Sequence, residues 1–180
     1  MTDVLTLSTY RRDHLPQIRQ TLLDVYAEVY AREITKDPFF SVERFDSRLT
    51  AHASGAGWMC VLGEVAGEPV GYAYGATVQP GGWWGGLVTS VGADLTQEDG
   101  QRTIGLFEIM LRASWRGQGI ARGIHDELMG QRSEQRAALT VEQAHPKVRT
   151  LYENWGYHKV GEIKPTSDSP LYDALLLDLN

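Results

Sequence analysis

Two arginines and two glycines fall within the seven residues Arg116-Gly117-Gln118-Gly119-Ile120-Ala121-Arg122. The run before them, Leu106–Leu111, is apolar and strand-like, and Ile120–Met129 reads as a helix. A strand that hands a glycine-rich turn to a helix start makes an anion site. The first N–H groups of a helix lack intrahelical acceptors, and the helix dipole places partial positive charge on them. Glycine at 117 and 119 removes the side chains that would hold a phosphate away from the backbone. Arg116 and Arg122 add full charge, so the turn is predicted to hold a phosphorylated ligand. A dinucleotide pattern, Gly-x-Gly-x-x-Gly, fails at Arg122, and no Gly-Lys-Ser/Thr closes a P-loop.

Other residue types add further chemistry. Glu108 alternates with Leu106 and Met110 along one face of the strand. Partial burial there would raise its carboxyl toward the range of a general base, and the competing reading pairs it with a nearby arginine. Tyr152 lies on the apolar stripe of a later helix, where periodicity alone makes it a packing residue. Asp24, Glu28, Tyr26 and Tyr30 flank a helix stripe. They read either as a solvated acidic flank or as one wall of an amine pocket, since carboxylates and aromatic faces attract a cation. His14, His52, His125, His145 and His158 show no His-x-x-x-His or His-Glu-x-x-His spacing, so no metal site is predicted. No Gly-x-Ser-x-Gly is present. The lone Cys60, inside a strand, reads as a small buried hydrophobe.

The elements that must position these groups follow from periodicity. Val4–Leu7 is a short first strand. Leu15–Tyr30 is a helix, with Ile18, Leu22, Val25 and Val29 on one stripe. Asp37-Pro38 breaks the pattern, and a second helix runs from Val42 to about Ala53 with Ser41 as its N-cap. Trp58–Val65 and Val70–Val78 form a hairpin that places Tyr72 and Tyr74 on one face. The loop Pro80–Leu87 carries Trp83 and Trp84, which pack back on the domain, enter a subunit contact or cover a substrate. Ala93–Arg102 is polar and turn-like. After the central element come a strand at Ala138–Val141 and a helix from His145-Pro146 with Val148, Leu151, Tyr152 and Trp155 on its apolar side. That helix stops at Gly156, and strands at His158–Ile163 and Tyr172–Leu179 follow. Strand, helix, strand around Leu106–Val141 predicts a parallel pair with a right-handed crossover.

Composition bounds the class. The chain has 180 residues, 42% hydrophobic and 22% charged, and fits one domain with a full core. A helical segment over 1–56 and a sheet-rich part over 57–180 are expected within it. No apolar run reaches membrane-span length, and the N-terminus lacks a leader pattern. One cysteine excludes an internal disulfide and fits a reducing compartment, so a cytoplasmic protein is expected. A net charge of −6 disfavours nucleic acid and suits a cationic substrate.

The motif Arg116-Gly117-Gln118-Gly119-Ile120-Ala121 resembles the acyl-CoA signature Arg/Gln-x-x-Gly-x-Gly/Ala of the GNAT superfamily of N-acetyltransferases. A second stretch, His145-Pro146-Lys147-Val148-Arg149-Thr150-Leu151-Tyr152-Glu153-Asn154-Trp155-Gly156-Tyr157, is similar to the family's helix after its fifth strand. Leu151, Tyr152, Glu153 and Gly156 match it, while His145 and Val148 replace the usual Asn and Ala. The resemblance spans roughly Trp58–Leu179. It implies an α/β fold with a mixed, largely antiparallel sheet of six to seven strands, a parallel central pair and about four helices. It also implies acetyl-CoA as acyl donor and no metal. The pantetheine arm would lie along the backbone of Ile109, Met110 and Leu111. The pyrophosphate would lie on Arg116, Gly117, Gln118, Gly119, Ile120, Ala121 and Arg122. Acetyl transfer to a primary amine of a small molecule or peptide would use Glu108 as base and Tyr152 as proton donor. Tyr26, Tyr30, Tyr72 and Trp84 are candidate acceptor-side contacts. The rival reading is a non-catalytic acyl-CoA-binding module. No nucleic-acid or membrane partner is expected, and the tryptophan loop would suit a homodimer.

Overall fold

Leu15, Ile18, Leu22 and Val25 recur at helical spacing and all four are buried, which fixes the inward face of the first long helix. The computed structural model describes residues 4–179. Met1–Asp3, the start of the segment read as lacking a leader pattern, lie outside the described residues, as does Asn180. In chain order the elements are β1 (Leu5–Arg11), α1 (Leu15–Val29), α2 (Ala31–Lys36), α3 (Val42–Ala53), β2 (Met59–Val65) and β3 (Glu68–Thr77). They continue with α4 (Ala93–Thr96), β4 (Thr103–Leu111), α5 (Ile120–Gly130), β5 (Arg136–Glu142), α6 (Pro146–Asn154), β6 (His158–Ile163) and β7 (Tyr172–Asp178).

The seven strands form one sheet in the order β1-β2-β3-β4-β5-β7-β6. β4 and β5 run parallel, with Thr103 opposite Arg136 and Gly105 opposite Ala138. The expected parallel central pair in a largely antiparallel sheet is therefore present. Boundaries differ in two informative places. β1 continues through Thr9, Tyr10 and Arg11, because each finds a partner on β2 as far as Met59. β4 begins at Thr103 rather than Leu106, because its first residues supply the pairing with β5. The polar stretch Ala93–Arg102 also contains the four-residue α4.

Contacts gather the chain into two units. The first takes Met1–Ala76 and Phe107–Gln131. Its core joins α1 and α3 to β2 and β3 through Leu22, Val25, Tyr26, Phe45, Leu49, Cys60, Tyr72 and Tyr74, all at 1% exposure or less. The β2–β3 hairpin turns on Ala66 and Gly67, both at positive φ (52° and 81°), as a two-residue turn of matching twist requires. Gly71 answers a different need. A Cβ there would stand 2.5 Å from the Met110 carbonyl oxygen, so only glycine allows this approach of β3 to β4.

The second unit takes Thr77–Leu106 and Arg132–Asn180. Its apolar core groups Trp84 with Ala138, Ala174 and Leu176. A buried ion pair adjoins it. The Arg136 guanidinium donates to Glu98 (2.8 Å) and to the Leu95 carbonyl (2.7 Å), and Trp84 Nε1 donates to the same Glu98 oxygen at 2.9 Å. One departure from sequence expectation falls here. Of the apolar stripe predicted for α6, only Tyr152 is buried, while Val148 and Leu151 are 40% and 44% exposed.

Removing one member of the Glu98–Arg136 pair leaves a buried, uncompensated charge. Glu98→Ala should cost about 3–5 kcal/mol, read as a lower urea midpoint with an unchanged slope. A loss under about 1 kcal/mol would mean that solvent already reaches the pair.

Candidate functional site

The turn after β4 has a main-chain geometry that can accept an anion. Gly117 and Gly119 have φ of 75° and 78°, in the left-handed region, and nothing lies within 4 Å of a Cβ at either position. Gly119 is the N-cap of α5 and provides no side-chain cap. Among the described residues, the main-chain N–H groups of Gly117 through Ala121 have no backbone acceptor, and the first bond of the helix is Gly123 N to Gly119 O at 3.0 Å. Residues 116–119 are exposed. Arg116 Nε donates to the Leu111 carbonyl (3.3 Å), and Arg122 pairs with Asp126 at 2.7 Å. A cavity of about 220 Å³ lies beside the turn, lined by Leu5, Val65, Trp115, Gln118, Gly119 and Ile120.

The strand before the turn carries Glu108. Phe107, Glu108 and Ile109 are half-buried although β4 is a central strand, whereas Met110 and Leu111 are buried. The Glu108 carboxyl keeps some access to solvent, yet the protein packed around it removes most of its water. That loss raises its pKa from 4.5 to about 7, and the Arg48 guanidinium pulls weakly the other way. The arginine pairing considered for Glu108 is absent, since among the described residues no group forms an ion pair or hydrogen bond with it. The sign for stability follows. Between pH 4.5 and about 7 the unfolded chain binds fewer protons than the folded one, so Glu108 lowers stability as pH rises through that window.

Aromatic and basic side chains of the first unit lie within electrostatic reach of this carboxylate. Tyr26 stacks on Phe45 (4.0 Å between centroids) and on Tyr30 (4.6 Å). Its hydroxyl donates to the Phe40 carbonyl at 2.9 Å. The Tyr72 hydroxyl donates to the Leu22 carbonyl at 3.1 Å. Burial, with the Glu108 charge behind it, holds the Tyr72 and Tyr74 phenols well above their usual range. His52 stacks on Phe107 at 4.2 Å, and its Nδ1 lies 3.2 Å from the Tyr74 hydroxyl. Burial first, then Arg48, lowers His52 to about 4, so it is neutral near pH 7.

Sequence reasoning missed Arg48, His52, Tyr74 and Phe107. The signal was available for two of them, because Arg48 and His52 lie three and seven positions after buried Phe45, on the inward face of α3. Arg48 lies over the Phe39 and Phe45 rings at 5.6 Å each. Its Nη1 is buried and has no hydrogen-bond partner among the described residues. A donor left so costs about 1–3 kcal/mol or more when charged. The acidic flank of α1 is engaged elsewhere, with Glu28 pairing with Arg112 and Asp24 accepting from Gln20 at 2.8 Å.

In the second unit, Tyr152 is buried and meets Trp155 and Tyr157 edge-on, at 5.4 and 5.8 Å. Trp84 is packed back on its own unit through Glu98. Trp83, with φ of 67°, lies over Gly105, where a Cβ would stand 2.6 Å from its ring. Cys60 is fully buried, and burial pushes its thiol pKa far up. Among the described residues, no cluster of three or more His, Cys, Asp or Glu could hold a metal, and no helix is long and apolar enough to cross a membrane.

Solved structures share this architecture along almost the whole chain. A GNAT-family protein from Desulfovibrio desulfuricans superposes with a TM-score of 0.66 at 14% identity, covering 98% of this chain and 100% of its own. The ribosomal-protein-S18-alanine N-acetyltransferase of Escherichia coli gives 0.63 at 16% identity, covering 98% and 95%. A spermidine N-acetyltransferase chimera of Vibrio cholerae and hSSAT gives 0.59 at 16% identity, covering 97% and 95%. At these identities the likeness establishes an acetyltransferase fold. No curated protein is significantly similar in sequence. The family model for the Acetyltransferase (GNAT) family matches residues 18–157, and the chain belongs to that family.

Titration of ¹³C-labelled protein should place the Glu108 carboxyl midpoint near 7. Arg48→Met should move it higher, because the guanidinium stabilises the ionised form. A midpoint near 4.5 in the native protein would show that water reaches the carboxylate freely.

Proposed function

We propose that this protein transfers an acetyl group from acetyl-CoA to a primary amine of a small molecule or peptide, within one domain and by direct attack in a ternary complex. One observation carries the reading in a chain of this family: among the described residues, the main-chain N–H groups of Gly117–Ala121 have no backbone acceptor at a helix N-terminus, and residues 117–119 are exposed. Those amides, with Arg116 and Arg122, suit the diphosphate of CoA, and the backbone of Ile109, Met110 and Leu111 suits its pantetheine arm. Bound acetyl-CoA supplies an acetyl group already activated as a thioester.

The residues of the chain supply orientation and proton transfer. An amine is largely protonated near neutrality and attacks only after losing that proton. Glu108, raised to about 7 and without a counter-ion in contact, is the proposed base, directly or through water. The departing sulfur has an intrinsic pKa of about 8.5, and a phenol near 10 can protonate it; Tyr152 is the proposed donor. Tyr26 and Tyr72 are buried, which leaves Tyr30 as the proposed acceptor-side contact. Trp84 supports its own unit through Glu98, and contact with the acceptor is not part of its proposed role. A protein working in the cytoplasm, as a monomer or a homodimer, fits this activity.

A thiol-release screen across polyamines, aminoglycosides, amino acids and short peptides should find at least one acceptor. With it, Glu108→Gln should lower kcat by about 10²–10⁴. It should also abolish a rising limb of kcat/KM with a midpoint near 7. Tyr152→Phe should lower kcat more than it changes KM. Gly119→Val, forced into a left-handed backbone at about 1–3 kcal/mol, should weaken CoA binding at least tenfold by calorimetry. CoA binding without thiol release from any amine would favour a non-catalytic acyl-CoA module instead. Unchanged turnover in Glu108→Gln and Tyr152→Phe would remove both residue assignments.

A further inference from the structure

The acceptor side of Glu108 contains a cation that the acetyl-transfer chemistry does not require. Arg48 projects from α3, its guanidinium is held against the Phe39 and Phe45 rings, and its Nη1 is buried without a partner. No carboxylate of the described residues forms an ion pair with it. Arg48 and Glu108 share a neighbour in Tyr26, whose ionisation is favoured by the charge of Arg48 and opposed by that of Glu108. One end of this cluster therefore suits an amine and the other an anion.

We propose that Arg48 binds the carboxylate of the acceptor, so that the acceptor is a small amino-carboxylate, such as a free amino acid. This rests on the reading of the protein as an amine acetyltransferase. A guanidinium presents a planar fork of donors that matches a carboxylate edge to edge, and its permanent charge needs no proton uptake to act. Cation–π contact with two aromatic rings restricts the guanidinium before the ligand arrives, which reduces the ordering cost of binding. The same charge discriminates against polyamines, because a second ammonium group would meet Arg48 in a poorly hydrated site. The first ammonium still finds the carboxylate of Glu108.

The test uses matched acceptors that differ only in the anionic group: amino acids, their carboxamides and the corresponding decarboxylated amines. Thiol release by the full chain should favour the acids, with kcat/KM at least about tenfold above the amides, as for a charged hydrogen-bonded pair. Arg48→Met should collapse that ratio toward one, chiefly through KM, and Arg48→Lys should restore part of it. Thermal melting would confirm that the variants fold. Amide or plain amine turned over as well as the acid would overturn the assignment of Arg48 and leave amine acetylation standing. Should no amine release thiol, calorimetry of the same pairs in the presence of CoA separates the two ideas. Carboxylate-dependent binding lost in Arg48→Met would uphold the anion site while the acetyl-transfer reading fell, and equal binding of acid and amide would overturn the site.

Discussion

Withholding water from one carboxylate without giving it a counter-ion is the constraint on which the first unit of this molecule depends. Glu108 stands on a central strand, raised to about 7 by desolvation, with only a longer-range pull from Arg48. Such a group destabilises the fold whenever it ionises, so the surroundings must stabilise the fold by other means. They do so through a dense aromatic core. Tyr26, Phe45, Tyr72 and Tyr74 are buried to the last per cent, and the Tyr26 and Tyr72 hydroxyls are satisfied by main-chain carbonyls.

The turn at 116–122 answers the opposite electrostatic need. Its positive end is left open by main-chain conformation, and side chains contribute little to the arrangement. Two left-handed glycines turn the chain, and the helix begins with no side-chain cap. Any of the usual capping residues would satisfy those amides internally and compete with an incoming anion. The absence of Ser, Thr, Asp or Asn at the N-cap therefore belongs with the glycines as part of the same arrangement.

Much of this was legible in the sequence because it rests on local pattern. The spacing of apolar residues in α1 and α3, the cap at Ser41 and the helix stop at Gly156 are all short-range signals, and each corresponds to an observed boundary. The turn at 116–122 was legible for the same reason. Features set by partners distant in sequence were not. The first residues of β4, Thr103-Ile104-Gly105, follow a polar stretch and include a glycine, yet they pair with β5 because the sheet requires it. The apolar spacing of α6 overstated its burial, since Val148 and Leu151 face outward. The burial of the Arg48 guanidinium was hidden because a charged residue beside an apolar stripe reads as a helix edge until the packing of α3 is known.

Gly71 has a consequence for how this sequence can diverge. The main chains of two strands approach there because an atom is missing, and one of those strands carries Met110 and Leu111. Even the smallest replacement, alanine, adds a methyl group that must displace the Met110 carbonyl. Drift at Gly71 would thus be transmitted as a shift in the strand that carries Glu108. Selection on chemistry would then be felt at a residue that has no side chain with which to take part in it.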